Sequence, residues 1–248
     1  MKTKVLFAVF MLFAVTAISQ NKTVFAPDHI GEVKVTPPEF AGLKVTKAVN
    51  EMSLIDSYLL ENVVIPENLT NYNPQGTAVV QFTVTPDGNL EDFKIINSVS
   101  WAIDREMIRV LKTTDGMWKP GSNNNQPVAM TKEVSMIFCM NNDQSTPACE
   151  LFTDYATVSF SKGNKALLEK HNVNKALRCY SEGIRYLPND KSLLLMRGIC
   201  RYEVGDRQGA MEDWNRMASM GGTIDMSEYT TQIEGMKGYN ELMAIIGK

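Results

Sequence analysis

The stretch TAVVQFTVTPDG, at positions 77–88, sets the architecture of the first half of the chain. Its apolar residues recur at every second position, a period typical of a strand that is buried on one face. The apolar side consists of Ala78, Val80, Phe82 and Val84. The stretch ends in Pro86-Asp87-Gly88, which supplies the fixed φ and the left-handed residue of a tight turn. We therefore predict that residues 90–97 return as the second strand of a hairpin.

Three further elements extend this hairpin. Residues 53–63 and 103–111 carry apolar side chains at helical spacing, so each is expected to form an amphipathic helix. Residues 132–140 alternate again and predict a third strand. Together they indicate a compact α+β fold, a small antiparallel three-stranded sheet with helices.

After the polar stretch 141–147 the periodicity becomes helical, and an internal repeat is visible. Ala176 and Tyr180 in the first copy correspond to Ala210 and Trp214 in the second, at one constant interval. The second half is therefore expected to be an all-α helical-hairpin repeat domain. Its predicted elements are hairpins at residues 157–190 and 191–224, and a last helix at 227–246 that covers the open end of the stack.

The segment 1–19 has the layout of a secretory signal peptide. Lys2 and Lys4 precede the apolar run 5–18, which ends in the small residues of an A-x-S cleavage site. A retained membrane anchor is the alternative, but as a helix this run covers roughly 21 Å, against a hydrocarbon core of about 30 Å. The predicted plan is a signal peptide at 1–19, an extended lead-in at 20–38, an α+β domain at 39–140 and a helical domain at 150–248.

Composition excludes two broad classes of protein. The chain has 248 residues, of which 44% are hydrophobic and 21% charged, so it can bury a core and is not disordered. Its 25 basic and 28 acidic residues give a net charge of -3 without any basic run, so no nucleic-acid surface is expected.

The four cysteines all follow the predicted signal peptide and would meet an oxidising compartment. Three pairings are open, and proximity in the chain favours Cys139 with Cys149 and Cys179 with Cys200. The alternative is that all four are small buried hydrophobic residues, and a core of this size favours it because it needs no disulfides.

No catalytic or metal-binding pattern is recognisable in the sequence. Its two histidines, His29 and His171, fall in the lead-in and near an inter-helix turn, and the cysteines lack C-x-x-C spacing. Ser159 and Lys162 form an S-x-x-K pattern, but the companion motifs of penicillin-recognising enzymes are missing. We therefore expect no enzymatic activity, no cofactor and no small-molecule substrate. A hydrolase centred on Ser159 is the alternative.

A set of residues spread over positions 35–139 carries a family resemblance. They are Pro38-Glu39-Phe40, Gly42, Pro66, Gln75-Gly76, Asp87-Gly88, Ser98, Ile103-Asp104, Arg109-Val110, Trp118, Pro120-Gly121, Pro127-Val128 and Phe138. In this order and at these intervals they resemble the C-terminal domain family of TonB, the periplasmic energy transducer of Gram-negative bacteria. The resemblance implies a module that pairs with a short segment of outer-membrane receptors.

The second half carries a resemblance of its own, over positions 157–224. The residues concerned are Ala176-x3-Tyr180, Pro188, Gly198 and Ala210-x3-Trp214. They resemble tetratricopeptide repeats. Two positions depart from the pattern, since Arg197 stands where Leu is usual and Arg201 where Tyr is usual.

Two contact surfaces are expected from these interpretations. The last strand should leave main-chain groups unpaired along its edge and add an extended peptide, unless the lead-in or the helical half covers it. The residues assigned to this pairing are Lys132, Val134, Met136, Phe138 and Met140. The concave face of the repeats should form a shallow groove lined by Val158, Ser161, Lys165, Leu168, Ser192, Leu195, Ile199 and Tyr202.

The sequence thus predicts an exported, periplasmic, non-enzymatic protein that binds protein or peptide partners. Outer-membrane receptor segments and other envelope proteins are the expected partners, in association with TonB-dependent transport. The 10 prolines are dispersed, so no stiff spacer for energy transduction is expected. The alternative retains residues 5–18 as an anchor and makes the chain a short membrane-anchored component of energy transduction.

Overall fold

The structure is a computed structural model that describes residues 34–42, 53–65, 74–139, 148–221 and 227–247. The predicted signal peptide, His29, Met140 and the side chain of Cys149 lie outside the described part. The chain divides into two compact units, one on each side of residues 140–147. The first unit is α+β and the second is helical, which confirms the predicted fold class.

The first unit contains eight described strands and two described helices. They are β1 (Val35–Thr36), β2 (Glu39–Phe40), α1 (Leu54–Asn62), β3 (Gly76–Val84), β4 (Leu90–Asn97), α2 (Trp101–Lys112), β5 (Trp118–Lys119), β6 (Gly121–Asn123), β7 (Gln126–Val128) and β8 (Met130–Phe138).

A three-stranded antiparallel sheet with the order β4-β3-β8 forms the centre of this unit. The predicted hairpin and third strand are therefore confirmed. The turn after β3 is tight, because the Gly88 N–H donates to the Thr85 carbonyl at 2.9 Å. Gly88 has a φ of 83°, and a Cβ on it would lie 2.4 Å from the carbonyl oxygen of Trp118. Only glycine fits this position.

Both helices pack on the apolar face of the sheet. Ser53 and Ser100 cap them, each accepting a hydrogen bond from a main-chain N–H in the first turn. The side chains that α1, α2 and the sheet bury between them form a single core. Its largest fully buried members are Phe82, Phe138, Leu59, Ile103, Met107, Leu111 and Met136.

Trp118 belongs to this core. Its ring packs against Phe40 and Phe82, and its indole Nε1 donates to Thr114 Oγ1 at 3.0 Å. Only 4% of the residue is exposed, so its ring is a packing element and offers no platform to a ligand.

Five short strands join residues 35–40 to the rest of the first unit. β1 pairs with β6, which pairs in turn with β7, and β2 pairs with β5. Strands as short as these cannot show an alternating pattern, so periodicity does not reveal them. Because of these pairings, residues 35–40 lie against β5 and β6 and do not pair with β8.

β3 pairs differently with its two neighbours. Its register with β8 is unbroken from Gly76 opposite Phe138 to Val84 opposite Met130. Its register with β4 shifts twice, and within β4 Asp92 has a φ of 55°. Such bulges twist an edge strand and discourage pairing with another chain. β4 is thus the irregular edge of the sheet, and β8 is the regular one.

Glu106 on α2 holds the end of α1 through hydrogen bonds. Its Oε1 accepts from the main-chain N–H of Val64 at 2.9 Å, and both carboxylate oxygens accept from Arg109 at 2.7 Å. The Arg109 guanidinium also donates to the Asn62 carbonyl at 3.3 Å. The hydrogen bonds from Arg109 hold the pKa of Glu106 below its ordinary value.

We expect Glu106→Gln to lower the free energy of unfolding at about pH 7 by only about 0.5–1 kcal/mol, because water screens the half-exposed guanidinium. The pKa of Glu106 is lower in the folded protein than its unfolded value of 4.5, so the ionised carboxylate stabilises the fold above pH 4.5. This stability is lost as the pH falls through the folded-state pKa. Urea unfolding should therefore separate wild type and variant less at about pH 3 than at about pH 7. An equal difference at both pH values would contradict this role.

The second unit consists of helices. They are α3 (Ala148–Asn164), a π-helical turn (Lys165–Glu169), α4 (Val173–Tyr186), α5 (Lys191–Glu203), α6 (Arg207–Ser219), α7 (Ser227–Ile233) and α8 (Tyr239–Ile246).

These helices form two successive pairs, α3 with α4 and α5 with α6. The interval from the start of α4 to the start of α6 equals that from Ala176 to Ala210, as the internal repeat requires. The first helix starts earlier than predicted, at position 148 and not at 157.

The same contact between a glycine and an aromatic ring holds both helix pairs together. A Cβ on Gly163 would lie 2.4 Å from the Tyr180 ring, and a Cβ on Gly198 would lie 2.1 Å from Trp214 Nε1. The first pair has one more residue between its glycine and its ring than the second pair has. The π-helical turn lies between Gly163 and Tyr180 and accommodates that extra residue.

The prediction of one continuous helix at 227–246 is wrong. The segment forms α7 and α8, which are separated by a break containing Gly235 and Gly238. Glycine is a poor helix former, and a Cβ on Gly238 would lie 2.8 Å from the Trp214 ring and 2.9 Å from the Tyr202 ring. The break therefore lets the chain approach both rings closely.

Three cysteines are described, and all three are free thiols. No disulfide joins Cys179 to Cys200, the pairing that proximity in the chain allows. Cys200 is fully buried in the second core, and its burial raises the pKa of the thiol to about 12. A thiol with so high a pKa is not a nucleophile at neutral pH.

Candidate peptide-binding edge

β8 forms one edge of the central sheet. Within the described residues its only strand partner is β3, and their register runs along the whole of both strands without a bulge. α1 packs against β8 from the core side. A regular edge of this length presents a row of main-chain groups with the spacing that another strand requires.

The direction of those groups follows from hydrogen bonds at the two ends of β3. The Thr77 carbonyl accepts from Asn97 Nδ2 of β4 at 2.7 Å, and the Thr85 N–H donates to the Asn89 carbonyl, just before β4, at 2.9 Å. In an antiparallel strand the N–H and C=O of one residue point to the same neighbour, and successive residues alternate. Odd-numbered residues of β3 therefore face β4, and even-numbered residues face β8.

The register carries this assignment over to β8, since even-numbered residues of β3 lie opposite even-numbered residues of β8. The main-chain groups of Lys132, Val134, Met136 and Phe138 thus bond to β3. Their odd-numbered neighbours direct their N–H and C=O groups to the open side. These neighbours are Thr131, Glu133, Ser135 and Ile137.

The side chains of the predicted pairing residues support the core and not the open edge. Val134, Met136 and Phe138 are 4%, 2% and 0% exposed and belong to the first core. Sequence alternation identified their buried face correctly. It could not show that the residues in between direct their main-chain groups away from β3, because that depends on which side of β8 is occupied by β3.

The predicted groove of the helical unit is closed along α5. Leu195 and Ile199 are fully buried in the second core and cannot line a groove. The Ser192 hydroxyl lies 2.9 Å from the Tyr229 hydroxyl of α7, and the Tyr202 hydroxyl donates to Glu241 of α8 at 2.5 Å. The C-terminal helices therefore bind the polar residues of this face.

The predicted groove residues on the first helix pair remain more accessible. Val158, Ser161 and Lys165 are exposed, and Leu168 is half-buried. A hollow of about 190 Å³ does lie between α3 and α5, and Ser192 is the one predicted groove residue among those that line it. It is lined by Thr153, Ala156, Thr157, Phe160, Leu187, Asp190, Ser192 and Leu193.

A buried ion network in the second unit was not predicted from the sequence. The carboxylate of Asp213 accepts two hydrogen bonds from Arg197, at 2.9 and 2.6 Å, and lies 3.0 Å from Arg201 Nη1. Burial raises the pKa of the Asp213 carboxyl, and the hydrogen bonds from Arg197 oppose the rise. The two arginines that depart from the repeat pattern therefore share one buried partner.

The described residues contain no group of acidic, histidine or cysteine side chains that could hold a metal ion. His171 is exposed on the turn after the π-helical segment, with a φ of 50°. Ser159 is half-buried on α3. In the part of the chain that the structure describes, no hydrogen bond joins Ser159 to a base that could activate it.

Part of the first unit matches a known protein family. Residues 62–140 match the model of the Gram-negative bacterial TonB protein C-terminal family. The TonB C-terminal match begins at the last residue of α1 and includes the whole central sheet, with α2 and the candidate edge β8. The predicted resemblance is confirmed for this segment.

The TonB C-terminal family is a non-enzymatic protein-interaction family associated with the Gram-negative envelope. No curated protein and no solved structure matches the chain. Among the described helices, none is long and apolar enough to cross a membrane.

Proposed function

We propose that the first unit binds an extended segment of another protein by strand addition to β8. The observation that carries this proposal is the unbroken register of β8 with β3, which leaves the main-chain groups of Thr131, Ser135 and Ile137 on the open side. Main-chain pairing gives affinity without demanding one particular sequence. The bulges of β4 make the other edge a poorer template.

The proposed partners are outer-membrane receptor segments or other envelope proteins, met after export to the periplasm. The TonB C-terminal match supports an envelope partner, and the signal-like segment 1–19 supports export. The chain would work without catalysis, in association with TonB-dependent transport. If residues 5–18 were retained as an anchor, the same edge would act at the membrane surface.

The helical unit is proposed to be a tetratricopeptide-like docking domain. The constant interval between corresponding residues of α4 and α6 and the repeated glycine–aromatic contact support this proposal. Docking would use the exposed face of α3, with Val158 and Ser161, because α7 and α8 hold the corresponding face of α5.

Proline substitutions test the edge directly, because proline removes one main-chain donor. We expect Ser135→Pro to abolish capture of partners from an envelope extract by the full-length protein, while the fold is kept, since this N–H faces the open side. Ser135→Ala keeps the donor and should capture partners as wild type does. Val134→Pro removes a hydrogen bond to β3 and should unfold the first unit.

Captured proteins are identified by mass spectrometry, and circular dichroism reports the fold of each variant. A folded Ser135→Pro variant that captures the same proteins as wild type would place the binding surface elsewhere. A folded Val134→Pro variant would show that the assignment of odd-numbered and even-numbered residues is reversed.

A further inference from the structure

An exposed stripe of aromatic and cationic side chains runs along the outer face of α2. Trp101, at the start of the helix, is 71% exposed, and the Arg105 guanidinium carbon lies 4.6 Å from the centre of its ring. At the other end, Lys112 Nζ lies 5.6 Å from the ring centre of Phe93, on β4. Ile108 is half-buried between the two pairs. We call these five residues the α2 stripe.

The two cations of the α2 stripe are not neutralised by the rest of the described chain. Arg105 and Lys112 form no ion pair there, whereas Arg109, also on α2, is bound to Glu106. Two acidic residues of this region form hydrogen bonds elsewhere, since Asp104 accepts from Ser98 and Asp115 accepts from the Leu90 N–H. Aromatic rings thus hold two positive charges at the surface without a carboxylate partner.

The surface beside Lys112 also has a recess. A hollow of about 220 Å³ is lined by Leu90, Phe93, Lys112 and Asp115. It provides apolar contact next to the positive charge of Lys112, and its one carboxylate, that of Asp115, accepts from the Leu90 N–H. An exposed tryptophan at one end and this recess at the other are the features expected of aromatic anchors in an interface, where Trp and Arg are enriched.

The spacing of the cations indicates the shape of the complementary segment. Residues 101, 105, 108 and 112 lie on one face of α2, and positions 105 and 112 are about 10.5 Å apart along the axis, at about 1.5 Å per residue. Two carboxylates on a partner helix at positions i and i+7 have the same separation. Apolar residues at i+3 and i+4 would then meet Ile108.

We propose that the α2 stripe is a second contact surface, which binds an acidic amphipathic helix of a partner protein. Carboxylates of that helix pair with Arg105 and Lys112, and its apolar side chains pack on Trp101 and into the recess beside Phe93. The stripe lies on the β4 side of the sheet, away from β8. One unit could therefore hold a strand at one edge and a helix beside the other.

Trp101 offers a selective probe, because the other two tryptophans, Trp118 and Trp214, are only 4% and 0% exposed. The ligand in the test is a synthetic helical peptide with Glu at i and i+7 and Leu at i+3 and i+4. We expect it to protect Trp101 of the full-length protein from acrylamide quenching, and salt should weaken the binding. The same peptide with Lys in place of Glu should give no protection.

Arg105→Glu and Lys112→Glu should each weaken binding of the peptide at least about tenfold, as measured by isothermal titration calorimetry. Arg207→Glu is the matched control, because Arg207 lies 5.5 Å from the ring centre of Tyr202 in the other unit. It should leave binding unchanged. The proposal would be overturned if the Lys peptide bound as tightly as the Glu peptide, or if Arg207→Glu weakened binding as much as Arg105→Glu does. It would also be overturned if the protein bound only to vesicles of an anionic phospholipid and not to the peptide.

Discussion

Asp213→Ala is expected to lower the free energy of unfolding of the helical unit by about 3–5 kcal/mol. The carboxylate is only 4% exposed and is held by two guanidinium groups, of which that of Arg197 is 14% exposed. Removing the acid leaves positive charge in a site that water barely reaches, and an unpaired buried charge costs far more than a lost surface contact. Urea unfolding followed by circular dichroism measures the loss.

Glu212→Ala provides the matched control, since Glu212 precedes Asp213 on α6 and is exposed. It should change the free energy of unfolding by less than about 0.5 kcal/mol. Replacing Asp213, Arg197 and Arg201 together by Leu, Leu and Tyr should recover most of the stability that Asp213→Ala loses, because no charge then stays buried. Equal losses for Asp213→Ala and Glu212→Ala would contradict a stabilising role for the ion network.

Gly198→Ala is expected to cost about 3 kcal/mol, although alanine is the better helix former. The new Cβ would lie 2.1 Å from Trp214 Nε1, so either the ring or the helix must move. Trp214 is fully buried, and its Nε1 donates to the Leu195 carbonyl at 3.2 Å. Movement of the ring would therefore break a buried hydrogen bond as well as the packing between α5 and α6.

Gly235→Ala is the control for this substitution, because a Cβ there meets nothing within 4 Å. It should be neutral or slightly stabilising. Thermal unfolding of both variants separates the effect of the contact from that of adding a methyl group where there is space for it. A Gly198→Ala variant as stable as wild type would show that Trp214 shifts without cost.

The long strands and most helices could be predicted because their buried faces repeat with a fixed period. Val80 and Phe82 alternate as a strand requires, and Met107 and Val110 recur as a helix requires. The same reasoning gave a wrong prediction for the C-terminal segment. Its apolar residues keep helical spacing, but the chain breaks where Gly238 meets two aromatic rings, a contact that only the folded structure contains.

The candidate edge shows a different limit. Alternation identifies the side chains of β8 that face the core, since burial depends on the residue type. Which main-chain groups point away from β3 depends on the order of strands in the sheet, which no property of the residues at 130–138 reveals. The ion network shows a similar limit. In the sequence Arg197 and Arg201 are only departures from the repeat pattern, and the structure shows that both contact Asp213.

The pairing of β1 and β2 with β6 and β5 has a consequence for the order of folding. The side-chain contacts that hold residues 35–40 in place, Lys119 to Glu39 and Ser122 to Thr36, join residues 80 and 86 positions apart. The helix pairs of the second unit join much closer neighbours, such as Gly198 and Trp214. Loops as long as the former lose more chain entropy on closing, so we expect residues 35–40 to reach their native place later than the helix pairs form.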